Sequence, residues 1–379
     1  MRASMTHLKW HHSSIMSTSV GRRRVLASVF SLALLFGPVT AAHSDDDGDG
    51  AVVRIMTQNL YQGTNFTEAL AATTLPDFLG AVTLIYQNIL ATQPAARAAA
   101  VAREIARERP DLVALQEVGI VRSGFVPITN PPTPVSTVDV DQLASLLAEL
   151  DQIGQPYQVV AIVPNLDVQA PSSTGKSIRI TTRTVIVARA ENRSGEMKLS
   201  NIQVQEFLAT PAFPTPVGGI PVQRGWASVD VRLKGRDFRL ITTHLWDVQP
   251  FNLSQANEAL QNAVNSTTLP VVFVGDFNTV ANVPADPTFA TYQAFISAGL
   301  VDAWQQAHGL DPGLTCCQNP NLMNITSNYT TRVDLVLLRG GIDVRDIHLV
   351  GNNPSDRTQG LWPSDHAGLV ATLRIPKNK

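Results

Sequence analysis

Residues 52–376 read as a mixed α/β sandwich, and three observations lead there. Strand-like runs outnumber helical ones, and several follow one another as hairpins, which disfavours a parallel Rossmann-type sheet. No Gly-x-Gly-x-x-Gly or Walker A pattern opens a helix, so no nucleotide phosphate loop is expected. A length of 379 residues with 44% hydrophobic content suits one large domain or two small ones, and no second boundary is visible between 52 and 376.

The N-terminus reads differently. Arg22, Arg23 and Arg24 precede a 13-residue apolar run at 25–37, and small residues follow at Val39, Ala41 and Ala42. A charged start, a short apolar stretch and a small-residue cleavage site describe a secretory signal over 1–42. Thirteen residues fall short of the roughly 20 that span a bilayer, so no stable membrane span is expected. The arginine run loosely fits a twin-arginine signal, and the expected location is secreted or periplasmic. Residues 43–51, with DDDGDG at 45–50, read as an acidic linker. Residues 1–42 hold five Lys/Arg and no acid, so the remainder carries 24 basic and 31 acidic residues, a net of −7. That sign weighs against a protein that lives on phosphate-backbone contacts.

Along the domain, the run at 52–57 is a strand stopping at Asn59, and a loop-and-helix region extends to about 91. The Ala-rich segment 95–109 is helical and ends at Pro110. A short buried strand at 112–115 leads into Gln116 and Glu117, and the Pro/Thr-rich stretch 119–138 reads as a loop. Leu143, Leu146, Leu147 and Leu150 give 139–153 an amphipathic helix, with Gly154 as its stop. Strands are expected at 157–163 and 184–188, then a Pro-rich loop at 207–219, and a hairpin from 226–233 and 238–243. A helix at 253–264 precedes strands at 270–274, 333–338 and 367–373.

Six of these strands end or begin in polar residues suited to metal or phosphate. VRIMTQN ends in Asn59, LVALQE in Glu117, FRLITTH in His244, and VVFVGDFN in Asp276 and Asn278. TRVDLVLL opens with Arg332 and Asp334, and WPSDHAGLVATL with Asp365 and His366. Each alone has a bland explanation: a solvated carboxylate, an edge histidine, an Asx turn. Together they describe one site. Asn59, Glu117, Asp276 and Asp365 are hard oxygen ligands suited to Mg²⁺ or Ca²⁺ more than to zinc. Histidines beside spare carboxylates move protons near neutral pH, and Asn and Arg donate to an oxyanion. The combination fits metal-assisted phosphoester hydrolysis.

These motifs, in this order, resemble the endonuclease/exonuclease/phosphatase superfamily, the deoxyribonuclease I-like hydrolases. The resemblance spans about 52–375 and rests on Asn59, Gln116-Glu117, Thr243-His244, GDFN at 275–278, Arg332 to Asp334, and Ser364 to His366. It implies a four-layer α/β/β/α sandwich of two mostly antiparallel sheets with outer helices. It implies Glu117 as the principal Mg²⁺ ligand, with Asn59 and Asp365 near the same ion, and Mn²⁺ or Ca²⁺ as alternatives. Asp334 would orient His366 as general base or phosphate ligand. His244 would contact the phosphate and serve the leaving group, and Asp276 and Asn278 would position water and the scissile phosphate. Two departures stand out: Gln58 replaces a frequent Trp, and no acid stands near Thr182 to partner His244.

Arg183 and Arg189 could face phosphate, although surface solvation is the simpler reading. Adjacent Cys316 and Cys317 are too few for a metal site and read as structural. The expected substrate is a phosphoester, DNA or RNA first, then a phospholipid of the sphingomyelin type, then an inositol phosphate. A non-catalytic binding protein on the same fold is the reading from another class. A monomer is expected.

Overall fold

The computed structural model describes residues 51–127, 133–190 and 197–377. The signal segment and nearly all of the acidic linker lie outside the described residues. From the N-terminus the elements are β1 (Ala51–Asn59), α1 (Thr67–Ala71), α2 (Leu75–Ala91), α3 (Pro94–Glu108), β2 (Leu112–Gln116), β3 (Ile120–Gly124), β4 (Val138–Asp141) and α4 (Gln142–Gln152). A long hairpin follows, β5 (Tyr157–Pro171) and β6 (Ser177–Arg189), then β7 (Met197–Glu206), a small hairpin of β8 (Ala212–Thr215) and β9 (Gly218–Pro221), β10 (Gly225–Leu233) and β11 (Arg236–His244). The chain closes with α5 (Phe251–Ala259), β12 (Val271–Asp276), α6 (Phe289–Ser297), β13 (Val301–Asp302), α7 (Ala303–His308), β14 (Asp334–Arg339), β15 (Asp343–Val350) and β16 (Gly368–Ile375).

Among the described residues two large sheets form. The first runs β15-β16-β1-β2-β6-β3-β4, with β5 also paired to β6, and the second runs β13-β14-β12-β11-β10-β7. Pairing is antiparallel throughout except β1 with β2 and β11 with β12. The period-2 alternation of each strand builds the layers. Val53, Ile55, Leu240, Val272 and Leu369 point inward and fill the space between the sheets. Their strand neighbours point the other way. Met56, Val113 and Val185 pack against Val101 and Leu146 of α3 and α4, and Ile241, Phe273 and Leu337 pack against Ala256 and Phe295 of α5 and α6. The result is the expected α/β/β/α sandwich.

Several elements differ from the sequence reading. The stretch 119–138 contains β3, because Ile120 and Val121 pair with the distal part of β6 despite their turn-rich flanks. The helix expected from 139 begins at Gln142: the Asp141 side chain caps it, accepting from Leu143 N and Ala144 N, and 138–141 joins β4. The loop at 207–219 holds most of the β8–β9 hairpin. The helix at 253–264 is α5 continued by a π-helical turn over Leu260–Val264. β7 is largely an exposed edge strand, and its alternation changes phase at Asn201, from Met197 and Leu199 to Ile202 and Val204.

Candidate active site

Register brings the polar strand ends together. In one sheet Asn59 stands opposite Gln116, the residue before Glu117. In the other, His244, Asp276 and Asp334 stand side by side on β11, β12 and β14. The parallel pairs β1–β2 and β11–β12 are what let both ends of each pair finish at the same edge. Gln116 joins the two edges, accepting from Thr57 Oγ1 at 3.3 Å and donating to Thr242 Oγ1 at 3.2 Å across the sandwich. Ser364 Oγ donates to the Asn59 carbonyl at 2.6 Å and so brings Asp365 and His366 alongside β1.

Local backbone geometry explains the residue types. Gly275 has φ 144, and a Cβ there would collide with the Thr243 carbonyl of β11, so glycine is required at this close strand approach. Asn278 has φ 46 and its N–H donates to Asp276 Oδ1 at 2.9 Å. The Asx turn and the functional pair are therefore the same feature. Glu117 also sits in the left-handed region, at φ 51, a strained conformation for a non-glycine residue that concentrates at functional sites. Its Oε2 accepts from Gln62 N at 3.1 Å.

Seven of the eight predicted site residues have a polar side-chain atom within 3.9 Å of another's. His366 Nδ1 donates to Asp334 Oδ2 at 2.8 Å. This leaves His366 Nε2 facing inward, 3.9 Å from both Asp276 Oδ2 and Asp365 Oδ1. Asn59 Nδ2 donates to Asp276 Oδ2 at 3.0 Å, while its Oδ1 accepts from Tyr61 N at 2.8 Å. His244 Nε2 lies 3.5 Å from Asp276 Oδ2. Asn278 Nδ2 donates to the Leu245 carbonyl at 3.0 Å, which fixes its amide orientation, and stands 3.1 Å from His244 Nε2. That nitrogen of His244 is thus an acceptor. The other, Nδ1, is buried without a hydrogen-bond partner, as the lack of an acid at Thr182 led one to expect. The eighth residue, Glu117, faces the same cavity.

Burial and crowding of charge set the protonation states. Burial pushes Asp276 up to about 7; Asp334 adds to this, while His366 and the Asn59 hydrogen bond oppose it. Asp365 is pushed up to about 6 by burial, with Glu117 adding and His366 opposing. Burial works against a charge on His366, yet Asp334, Asp365 and Asp276 outweigh it and hold the imidazolium well above the usual range. His244 goes the other way: burial, Arg224 and His366 all depress it, so it is neutral.

The donor set fits a hard divalent cation. Glu117 and Asp365 face one cavity, and Glu117 raises the cost of the charge on Asp365, which a cation would relieve. A second grouping, Asp276, Asp334 and His366, has ligand atoms within 4.8 Å of one another. Cys316 and Cys317 form a vicinal disulfide in the loop before β14. The Cys316 backbone bridges to His366, and Cys317 Sγ lies 3.9 Å from His366 Nε2, so the pair borders the site.

The arginines sort differently from the sequence reading. Arg183 pairs with Asp141 at 2.8 Å, Arg189 pairs with Asp111, and Arg332 pairs with Asp302 at 2.6 Å inside the core. None is left for phosphate. Arg224, which the sequence did not single out, lines the cavity and stacks over Trp246 at 5.6 Å. Its guanidinium has no hydrogen bond or ion pair among the described residues, and Glu117 and Asp276 lie within electrostatic reach. It stands at the exit of the β8–β9 hairpin, where no periodic pattern marks a residue as functional. Gln58, the departure beside Asn59, is buried and donates to the carbonyls of Asn59 at 2.7 Å and His366 at 3.2 Å, tying β1 to the segment just before β16.

With this architecture and this site, comparison with known proteins is direct. The chain matches the Endonuclease/Exonuclease/phosphatase family over residues 85–366 and belongs to that family. A family protein from Leptotrichia buccalis superposes with a TM-score of 0.51 at 16% identity, covering 85% of this chain and 99% of that one. One from Beutenbergia cavernae gives 0.50 at 21% identity, covering 86% and 72%. These likenesses establish the fold. No curated protein matches the sequence.

Proposed function

We propose that the chain is an exported, Mg²⁺-dependent phosphoesterase that hydrolyses a phosphodiester by attack of water on phosphorus. The observation that carries this reading is the alignment of Asp334, His366 and Asp276 beside the Glu117–Asp365 carboxylate pair. Glu117 and Asp365 would hold the cation, with Asn59 at its border; Mn²⁺ or Ca²⁺ would fit the same oxygens. When bound, the cation polarises a phosphoryl oxygen and offsets the charge that develops there. Arg224 and the His366 imidazolium draw the phosphate to the carboxylates. Asp334 keeps the His366 proton on Nδ1 and turns Nε2 towards the phosphate. Asp276, raised to about 7 and held by Asn59 and Asn278, is the group suited to accept the proton of the attacking water. Neutral His244, whose Nε2 accepts from the Asn278 amide, holds Asn278 beside Asp276 on the leaving-group side.

The test is turnover of bis(p-nitrophenyl) phosphate by the signal-free protein with Mg²⁺ and with EDTA. Glu117→Gln and His366→Ala should each lower kcat by roughly a hundredfold or more with an unchanged circular dichroism spectrum. Turnover that survives EDTA, or either variant at full rate, would show the site assignment to be wrong.

A further inference from the structure

The catalytic residues do not open onto a flat face. A cavity of about 270 Å³ runs from Glu117, Asp276 and His366 to a wall that includes Phe66, Leu70, Val82, Val168, Ile180 and Ile220. Three separate parts of the fold build that wall: the α1–α2 helices, the distal half of the β5–β6 hairpin, and the β8–β9 hairpin. Phe66, Val168 and Ile220 are only partly buried and Leu70 is 42% exposed, so apolar surface is left facing the cavity. Such surface gains about 25 cal/mol per Å² when an apolar group covers it.

The polar end has the opposite character and a small capacity for charge. Among the described residues lining this cavity, Arg224 is the arginine available to an anion, and no lysine lines it. A polynucleotide is held by several cations along its backbone, whereas one arginine and the adjacent His366 imidazolium, beside a carboxylate-held metal, suit one phosphate. We propose that the substrate is a phosphoester bearing one apolar chain, with the phosphate at Arg224 and the chain along the Phe66–Ile220 wall. The volume sits near the lower end of small-molecule sites, ~300 Å³, which accommodates one chain and not two. This inference rests on the phosphoesterase reading above and names its substrate class.

A series of p-nitrophenyl phosphodiesters tests it, with methyl, butyl, octyl or thymidine 5′ as the second ester group and the leaving group held constant. kcat/KM should rise about fourfold per buried methylene, so on the order of a hundredfold from methyl to octyl if about half of the seven added methylenes are buried, and more if all are. Ala69→Phe, which fills the cavity from α1, and Ile220→Gln, which makes its wall polar, should flatten that rise and leave the methyl ester unchanged. A flat series in the wild type, or a thymidine ester preferred to octyl, would overturn the proposal. If no ester turns over, the phosphoesterase reading fails separately. Calorimetry with octyl and methyl phosphate in EDTA then decides: tighter octyl binding by tenfold or more supports the pocket, and equal affinities reject it.

Discussion

His366 shows how neighbours decide the role of a single residue. Its ring is buried, which alone would keep it neutral, but three carboxylates surround it and hold the proton. Asp276, also buried and pushed up to about 7, is the group proposed as the base. The same crowding makes cation binding pH-dependent. Asp365 titrates at about 6 with no cation present, so below that pH a proton must leave before a cation can bind. Mg²⁺ affinity should therefore fall by about tenfold per pH unit below 6 and level off above 7. Calorimetric titrations at pH 5, 6 and 7.5 measure this, and a pH-independent affinity would exclude Asp365 as a ligand. At this scale the sequence was informative where polar residues follow several apolar strands, because burying them in one place needs mutual partners. It was silent on Arg224, whose importance comes from having no partner, a property that only the packed structure defines.

At the scale of elements, the site depends on how closely strand ends and loops approach. Gly275→Ala forces a Cβ towards the Thr243 carbonyl at a positive φ, so it should destabilise the protein by about 3 kcal/mol. The misplaced β12 end should also lower kcat. A second support is Arg97 of α3, fully buried, whose guanidinium donates to the carbonyls of Leu60 at 2.8 Å, Tyr61 at 2.8 Å, Thr92 at 2.8 Å and Pro363 at 3.1 Å. Three of those carbonyls, Leu60, Tyr61 and Pro363, belong to the segments that carry Asn59 and Asp365. Arg97→Met removes these four hydrogen bonds, leaving Gln142 Nε2 on the Leu60 and Tyr61 carbonyls, and should cost about 3 kcal/mol or more in urea unfolding. A change under 1 kcal/mol would show that water replaces the guanidinium. Regular elements with clear apolar periods, such as α3 and the β10–β11 hairpin, were legible from sequence. β3 was not, since long-range pairing with β6 overrides its turn-rich composition. The apolar cavity escaped for a related reason: its wall draws single residues from helices and strands, and each reads as ordinary core.

For the whole molecule, stability should carry a pH signature from a group far from the chemistry in sequence. Glu104 of α3 is buried with Oε2 lacking a partner, and burial, helped by Asp356, pushes it up to about 8 against the pull of Arg107 and Arg103. The folded state therefore keeps this proton between about 4.5 and 8, while the unfolded chain releases it. The unfolded state binds fewer protons there, so stability falls as pH rises through that window, by on the order of 1 kcal/mol per unit. Glu104→Gln should remove this contribution, gaining over the wild type at pH 8 and matching it near pH 4.5. Equal pH profiles for the two proteins would place Glu104 in a more solvated state.

All of this depends on the two sheets presenting one joint site for a cation and a phosphate. The most direct measurement is the ³¹P relaxation of inorganic phosphate in the presence of the protein and Mn²⁺. Strong paramagnetic enhancement is expected in the wild type, loss of it in Glu117→Gln, which removes the cation, and loss of it in Arg224→Met, which releases the phosphate. Absence of enhancement in the wild type, or an unchanged signal in Glu117→Gln, would contradict the joint site.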